Sequence, residues 1–593
     1  MTGRPNNDSR KALEIDSVII QSPYIKRVLN KTLANYPGVN TTLSRLIFKA
    51  PFECLVHRWD GLVAEMESDE WDEITKKHLT VLYDILHPEL KDVLEEVKDF
   101  RKNGIVNYEH VWTIFQPGCT ALGSRYGHPL AMEFISGQFG ETQCDGPCYI
   151  MRNKFVDYNG SQFGLNDMMH TIPKFDGVIP ITDLPCYPIE FHPDATAMTE
   201  ALTARGRLFE SLAGYHYKYC NGQGITKDQN GNTVRVTVNC RVVIDAEMFS
   251  KFNPNMVRSL SSLRSTERNN GGAGQCFEDD GMPAIFFPHR DFDSSDDEST
   301  YESSSKKALR LTDQEALTCN PMVKGYALKV KRWLEFYVGD ISDVVFNKNA
   351  FGSLVLPEDQ KNLILAFAQS QVKFKDEFDD VIEGKGKGII MLLSGGPGIG
   401  KTLTAESVAE EMRVPLYIVS AGDLGSNADD IEYNLSNILE MMAKWDSVLL
   451  LDECDVFLEA RSPHDLGRNR VVSIFLRTLE YYEGILFLTT NRVNDMDPAF
   501  HSRIHLSLEY PPLDEEARKA VWAGFLERGR GKNALAHCLA EEEIDRLARL
   551  DINGRQIKNA LKMANLLSCH KGEMLNFDHL RTVLKVEGYS LAA

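Results

Sequence analysis

Apolar residues recur at three- and four-residue spacing from Lys77 to Phe100 (KHLTVLYDILHPELKDVLEEVKDF), which predicts a helix interrupted near Pro88, inside a mainly helical region over residues 1–105. Beyond Asn103-Gly104 the runs shorten and aromatics, Gly and Pro become frequent. His110–Phe115 and Arg241–Asp245, the latter downstream of an Asn230-Gly231 turn, read as strands, and Ala195–Leu212 reads as a helix. Residues 106–257 are therefore expected to form a β-rich α+β domain, with Trp112, Phe115, Tyr149 and Phe155 in its core. Over residues 258–320 apolar positions thin out into Gly-rich, acidic and Ser-rich sequence, which predicts a disordered linker. Gly325–Val338 then leads into an α/β region over residues 321–512. There the apolar runs Ile389–Leu393, Leu416–Val419, Ser447–Leu451 and Ile485–Thr489 read as buried strands. Asp514–Arg528 opens a helical region over residues 513–593.

At 593 residues with 43% hydrophobic content, the chain is long enough for several cored domains. No run approaches the roughly 18–20 apolar residues of a membrane span, and Met1–Arg10 is polar rather than signal-like, so no membrane association and a cytoplasmic or nuclear location are expected. The formal net charge of −20 argues against nucleic acid as a partner, because backbone binding needs a basic surface. The 12 cysteines are scattered. Their one close pair, Cys144 and Cys148, has no matching second pair, so reduced thiols are expected rather than a zinc site.

The chemistry lies at the strand ends. Gly395-Gly396-Pro397-Gly398-Ile399-Gly400-Lys401-Thr402 satisfies G-x-x-x-x-G-K-[ST] directly after an apolar strand, and a helix begins at Leu403. Glycines let successive N–H groups converge on a phosphate, Lys401 adds a point charge for the β/γ-phosphates, and the Thr402 hydroxyl suits Mg²⁺. The helix start adds its N-terminal field. About fifty residues on, Ser447–Leu451 ends in Asp452-Glu453. Such a pair can place Asp452 on Mg²⁺ through water and Glu453 on an attacking water as general base. The strand Ile485–Thr489 ends in Thr490-Asn491-Arg492, where Asn491 is suited to orienting that water, and Asp497-Pro498-Ala499-Phe500 precedes Arg503. Nucleotide at the carboxyl ends of a parallel sheet with helices on both faces is the architecture these motifs imply.

Taken together, GGPGIGKT, VLLLDECD, LTTN and DPAFHSR resemble the AAA family of ATPases over roughly residues 340–590. The resemblance implies a P-loop NTPase module, a parallel sheet plus a helical lid, behind an α+β N-terminal region. It implies ATP and Mg²⁺ as ligands, Gly395–Leu403 and Arg555 around the nucleotide, and Thr402 and Asp452 on the metal. It also assigns Glu453 and Asn491 to catalysis, with Arg503 reaching a phosphate on a neighbouring subunit of a homo-oligomeric ring, hexameric by resemblance, that remodels a protein client. Asn553–Ala560 looks like the lid segment that carries Arg555. FLRTLEYYEGILFLTTN and the N-terminal layout resemble a group common in filamentous fungi whose N-terminal region has no assigned role.

Two departures qualify the expectation. The family usually carries two arginines around R-x-G-R-x-D, whereas here only Arg503 remains and His505 stands in place of the acid. Where translocating members insert an aromatic pore loop, Ala421–Ala428 is short, with Leu424 its apolar candidate and Tyr433 falling on the next helix. Three readings follow: a ring ATPase remodelling a client, a nucleotide-controlled switch with little turnover, and a nucleic-acid remodeller, which the charge disfavours.

Overall fold

A computed structural model of the chain describes residues 2–5, 13–263 except 35, 42, 44, 144, 229, 257 and 258, 310–373, 388–461 except 426, 464–528 except 493 and 494, and 537–589. Cys144 and most of the expected linker, residues 264–309, lie outside the described residues.

The helix expected at Lys77–Phe100 runs from Glu73 to Asn103 without a break at Pro88. Its buried stripe of Leu79, Leu82, Leu86, Leu90 and Leu94 continues past the proline, so packing of one face outweighs the missing N–H. Helix stripe and β-rich domain share one core. Val28, Trp59 and Leu86 belong to the same apolar cluster as Phe115, Phe134 and Tyr149, so no core boundary falls at residue 105. Trp112, Phe115, Tyr149 and Phe155 are all buried. The sheet over that core has six antiparallel strands, with His128–Thr142, Gly146–Tyr158 and Phe163–Pro173 at its centre. His110–Phe115 is not a strand. Asn107 Oδ1 accepts the His110 N–H at 2.9 Å, and Val111–Ile114 turns into a short 3₁₀ helix. The helix Ala195–Ser211 matches its expectation.

The largest departure concerns residues 310–343. The segment Gly325–Val338 contributes strands Met322–Ala327 and Arg332–Tyr337 to an antiparallel sheet with Tyr215–Lys227 and Thr233–Asp245. Residues 310–338 thus belong to the N-terminal architecture, not to a linker or to the head of the C-terminal module. The backbones come close: a Cβ on Gly325 would lie 2.4 Å from the Val243 carbonyl oxygen. A buried ion pair secures the same segment, with Lys324 Nζ 3.1 Å from Asp157 Oδ2 and Asn320 Nδ2 donating to Asp157 Oδ1 at 3.0 Å.

In the C-terminal module five strands, β1 (Ile389–Gly395), β2 (Leu416–Ser420), β3 (Val448–Asp452), β4 (Ile485–Thr490) and β5 (Leu506–Tyr510), form a wholly parallel sheet in the order β2-β3-β4-β1-β5. Alternate residues point to opposite faces. Met391, Leu393, Leu450 and Phe487 meet helices α1 (Glu358–Lys373) and α2 (Lys401–Met412), while Leu392, Leu449, Leu451 and Leu488 meet α3 (Ala428–Lys444) and α4 (Leu466–Glu480). A lid of four helices, α5 (Glu515–Arg528), α6 (Glu541–Ala548), α7 (Gly554–Lys571) and α8 (Phe577–Val586), packs around Trp522, Leu547, Ile557 and Leu580.

The N-terminal sheet and the module share a core. Val243, Met248, Tyr326 and Leu328 pack in the cluster that includes Tyr417, Leu435 and Trp445. Tyr326 and Tyr417 join their hydroxyls at 2.8 Å, Trp445 Nε1 donates to Asp245 Oδ2 at 2.9 Å, and Lys331 Nζ lies 2.6 Å from Asp423 Oδ2.

Candidate active site

The order of the strands decides what meets at their carboxyl ends. Because β4 lies between β3 and β1, Asn491 emerges between the phosphate loop and the acidic pair. Three residues of that loop, Gly395, Gly398 and Gly400, have φ of 136°, 74° and 112°. At Gly398 a side chain is also sterically excluded, since a Cβ would stand 2.8 Å from Asn553 Oδ1 and 3.1 Å from Arg555 Cβ on the lid. The loop therefore turns sharply into α2 directly under the N-terminus of α7.

Lys401 Nζ donates to three oxygens at 2.7 Å each: the carbonyls of Gly395 and Gly396 and Asn491 Oδ1. Burial lowers its pKa, an effect that the nearby carboxylates of Asp452, Asp455 and Glu453 partly offset. Asp452 Oδ1 accepts from Thr402 Oγ1 at 3.1 Å and from Thr489 Oγ1 at 2.6 Å. Glu453 sits in the left-handed region at φ 53°, with its N–H bonded to Thr489 Oγ1 at 2.9 Å. Asp455 Oδ1 accepts from the Asn491 N–H at 3.1 Å and from the Thr490 hydroxyl.

These groups open onto a cavity of about 410 Å³. Pro397–Thr402, Leu403, Asp452, Glu453, Asn491 and Arg555 line it, so the sequence-predicted residues from both subdomains meet there; Gly395 and Gly396 enter through their carbonyls on Lys401. Arg503 is not brought to it. Its guanidinium donates to the carbonyls of Ala499 and Leu476 at 3.0 and 3.1 Å and lies 3.5 Å from Glu480. His505 is structural: Nδ1 accepts the Ile390 N–H at 3.1 Å, and burial lowers its pKa.

Sequence reasoning missed part of the wall. Leu354, Leu356, Val521 and Phe525 form an apolar end to the cavity, and Lys558 lies one helical turn beyond Arg555. The three-residue spacing of Arg555 and Lys558 was a usable signal for the latter. Thr489 was read only as part of a strand.

A family model described as "ATPase family associated with various cellular activities (AAA)" matches residues 391–512. The chain carries an AAA-family ATPase domain. A second model, "Domain of unknown function (DUF7025)", matches residues 96–193 within the antiparallel region. Over 207 residues the chain is 29% identical to a putative 26S proteasome regulatory subunit homolog of Methanothermobacter thermautotrophicus, covering 33% of this chain and 54% of that protein. It is 36% identical over 119 residues to the ATPase family gene 2 protein homolog B of Mus musculus (18% and 16%), and 31% identical over 162 residues to the 26S proteasome regulatory subunit 8 of Caenorhabditis elegans (25% and 38%). The chain thus spans about half or less of the length of these relatives.

The segment after β2 folds its apolar candidate inward. Ser420 and Asp423 form a capping box that starts the turn Ala421–Leu424, and Leu424 is fully buried beneath α3, where its carbonyl accepts from Asn434 Nδ2 at 3.0 Å. Tyr433 lies on α3 and is exposed. Among the described residues no helix is long and apolar enough to cross a membrane.

Proposed function

We propose that the AAA domain binds ATP with Mg²⁺ and hydrolyses it, and that copies of the chain assemble into a ring that remodels a protein client. The observation carrying this reading is the convergence of Lys401, Thr402, Asp452, Glu453 and Asn491 on one cavity at the N-terminus of α2. Loop N–H groups and the Lys401 charge suit a triphosphate, and the apolar end at Leu354, Val521 and Phe525 suits a base. Thr402 and Asp452 would hold Mg²⁺. They supply fewer oxygens than its octahedral shell needs, so phosphate oxygens and water would complete it. Bound there, the metal would neutralise charge on the phosphates.

The chain's own residues then divide the work. Lys401 binds phosphate and Asn491 orients, because the two side chains already touch. Glu453 is the base for the attacking water, its backbone turned so that it directly follows the Asp452 carboxylate. Arg555 and Lys558 add positive charge from the lid, and closing the lid would exclude water.

Arg503 supports the ring reading, because it lies outside its own cavity and a phosphate-directed role needs a neighbouring copy to supply the site. Buried Leu424, and Asp423 tied to Lys331, favour remodelling without an aromatic threading loop. The same observations also favour a second reading, a nucleotide-controlled switch. Turnover per chain that rises with protein concentration supports the motor, whereas a single stoichiometric burst supports the switch. The test of the core reading is Glu453→Gln, which should leave ATP affinity within about twofold while lowering turnover by roughly a hundredfold or more. Parental turnover in that variant would remove Glu453 from the assignment.

A further inference from the structure

We propose that Thr489 is a positioning residue for hydrolysis, its single hydroxyl fixing both acidic residues at the end of β3. The proposal rests on the ATPase reading above and deepens it. A hydroxyl has one proton to give and lone pairs to accept with. Thr489 Oγ1 donates to Asp452 Oδ1 at 2.6 Å and accepts the Glu453 N–H at 2.9 Å. Its backbone continues the clamp: the Thr489 carbonyl accepts from the Cys454 N–H at 3.0 Å and is 3.0 Å from Cys454 Sγ. One residue of β4 therefore holds three consecutive residues, Asp452, Glu453 and Cys454.

Why this bears on chemistry follows from two features. Glu453 occupies a left-handed backbone conformation that a side chain disfavours, so its direction depends on what holds its N–H. The Thr489 hydroxyl is that holder. It also shares Asp452 Oδ1 with Thr402 Oγ1, which donates at 3.1 Å, so the two threonines orient the carboxylate from the end of β4 and the first turn of α2. Thr489 is 1% exposed, so water does not compete for either bond. The neighbouring residue does a different job. Thr490 and the Asn491 N–H both bond Asp455, which fixes Asn491 without touching Asp452 or Glu453. Loss of the Thr489 hydroxyl should therefore disturb metal and base while leaving Lys401 and Asn491 in place.

The test compares the full-length parent with Thr489→Val, which keeps the shape and drops the hydroxyl, and Thr489→Ser, which keeps the hydroxyl. Turnover against ATP and against Mg²⁺ is measured alongside the affinity for a fluorescent ATP analogue with Mg²⁺ and with EDTA. Thr489→Val should lower kcat by roughly ten- to a hundredfold and raise the Mg²⁺ half-saturation several-fold, with affinity in EDTA within about twofold of the parent. Thr489→Ser should recover most of both. A valine variant with parental kcat and Mg²⁺ half-saturation overturns the proposal, as does a serine variant as impaired as the valine one. If the parent itself shows no turnover, the ATPase reading fails separately. Thr489 is then judged on affinity, where an equal gain from Mg²⁺ in parent and valine variant overturns it and a reduced gain in the valine variant supports it.

Discussion

Asp245→Ala removes two hydrogen bonds, and a 3.9 Å ion pair with Lys444 Nζ, from one buried carboxylate at the seam between the N-terminal sheet and the AAA domain. Oδ1 accepts the Met248 N–H at 2.9 Å and caps the helix Ala246–Phe252, while Oδ2 accepts Trp445 Nε1 at 2.9 Å. Asp245 is 3% exposed and Trp445 1%, so water replaces neither partner. Losing the cap costs about 1 kcal/mol. Stranding the buried indole N–H adds about 1–3 kcal/mol, for a total of about 2–4 kcal/mol. Urea unfolding of the full-length protein, followed by tryptophan fluorescence, reads the change as a shift in midpoint at constant slope. A double-mutant cycle isolates the interdomain bond: Asp245→Asn keeps an oxygen for the cap but turns an amide towards the indole. It should therefore cost clearly more in the parent than in a Trp445→Phe background, the lost charge facing Lys444 Nζ at 3.9 Å being common to both. Asp245→Ala within about 0.5 kcal/mol of the parent, or Asp245→Asn equally damaging in both backgrounds, would refute the reasoning.

Phe525→Ala removes an aromatic face from the apolar end of the cavity and should weaken ATP-analogue binding by roughly tenfold in a fluorescence titration; unchanged affinity would mean the base binds elsewhere. His57, bonded to Tyr36 through Nδ1 at 2.7 Å and to the Trp112 carbonyl through Nε2 at 3.1 Å, has its pKa lowered by burial to about 4. The unfolded chain therefore binds a proton here that the folded chain does not between pH 6.5 and 4. Stability should fall by on the order of 2 kcal/mol as pH drops through that window, while remaining intact above it. His57→Gln should flatten that acid limb in pH-dependent unfolding, and an unchanged limb would assign it to other groups.

What sequence could show depended on whether the cause was local. The AAA strands were legible because a parallel strand covered on both faces is an unbroken apolar run, and Asp452, Asn491 and Lys401 stand where those runs stop. Met322–Tyr337 was misplaced because its partners lie about a hundred residues earlier, beyond a long polar stretch, and strand pairing over that distance leaves no periodic trace. Val111–Ile114 has the apolar content of a strand, but the Asn107 side chain accepts the His110 N–H just before it and the chain turns there. Leu424 looked available for contact because apolarity in a short loop does not report burial; the Ser420–Asp423 capping box that folds it inward was readable only in hindsight. Thr489 escaped notice for a related reason: which of two adjacent threonines faces the acidic pair depends on the register between β3 and β4.

The shared core formed by Val243, Met248, Tyr326 and Leu328 with Tyr417 and Trp445 has a consequence for how such a protein can be inherited. An exchange of N-terminal halves between related chains near residue 340, where the AAA resemblance begins, would separate aromatic partners rather than whole domains. Recombinants would then carry mismatched surfaces against β2 and α3. An exchange just upstream of Tyr215 would fare no better, because Val156 and Phe209 share a core with Val323 and Phe336, and Asp157 pairs with Lys324.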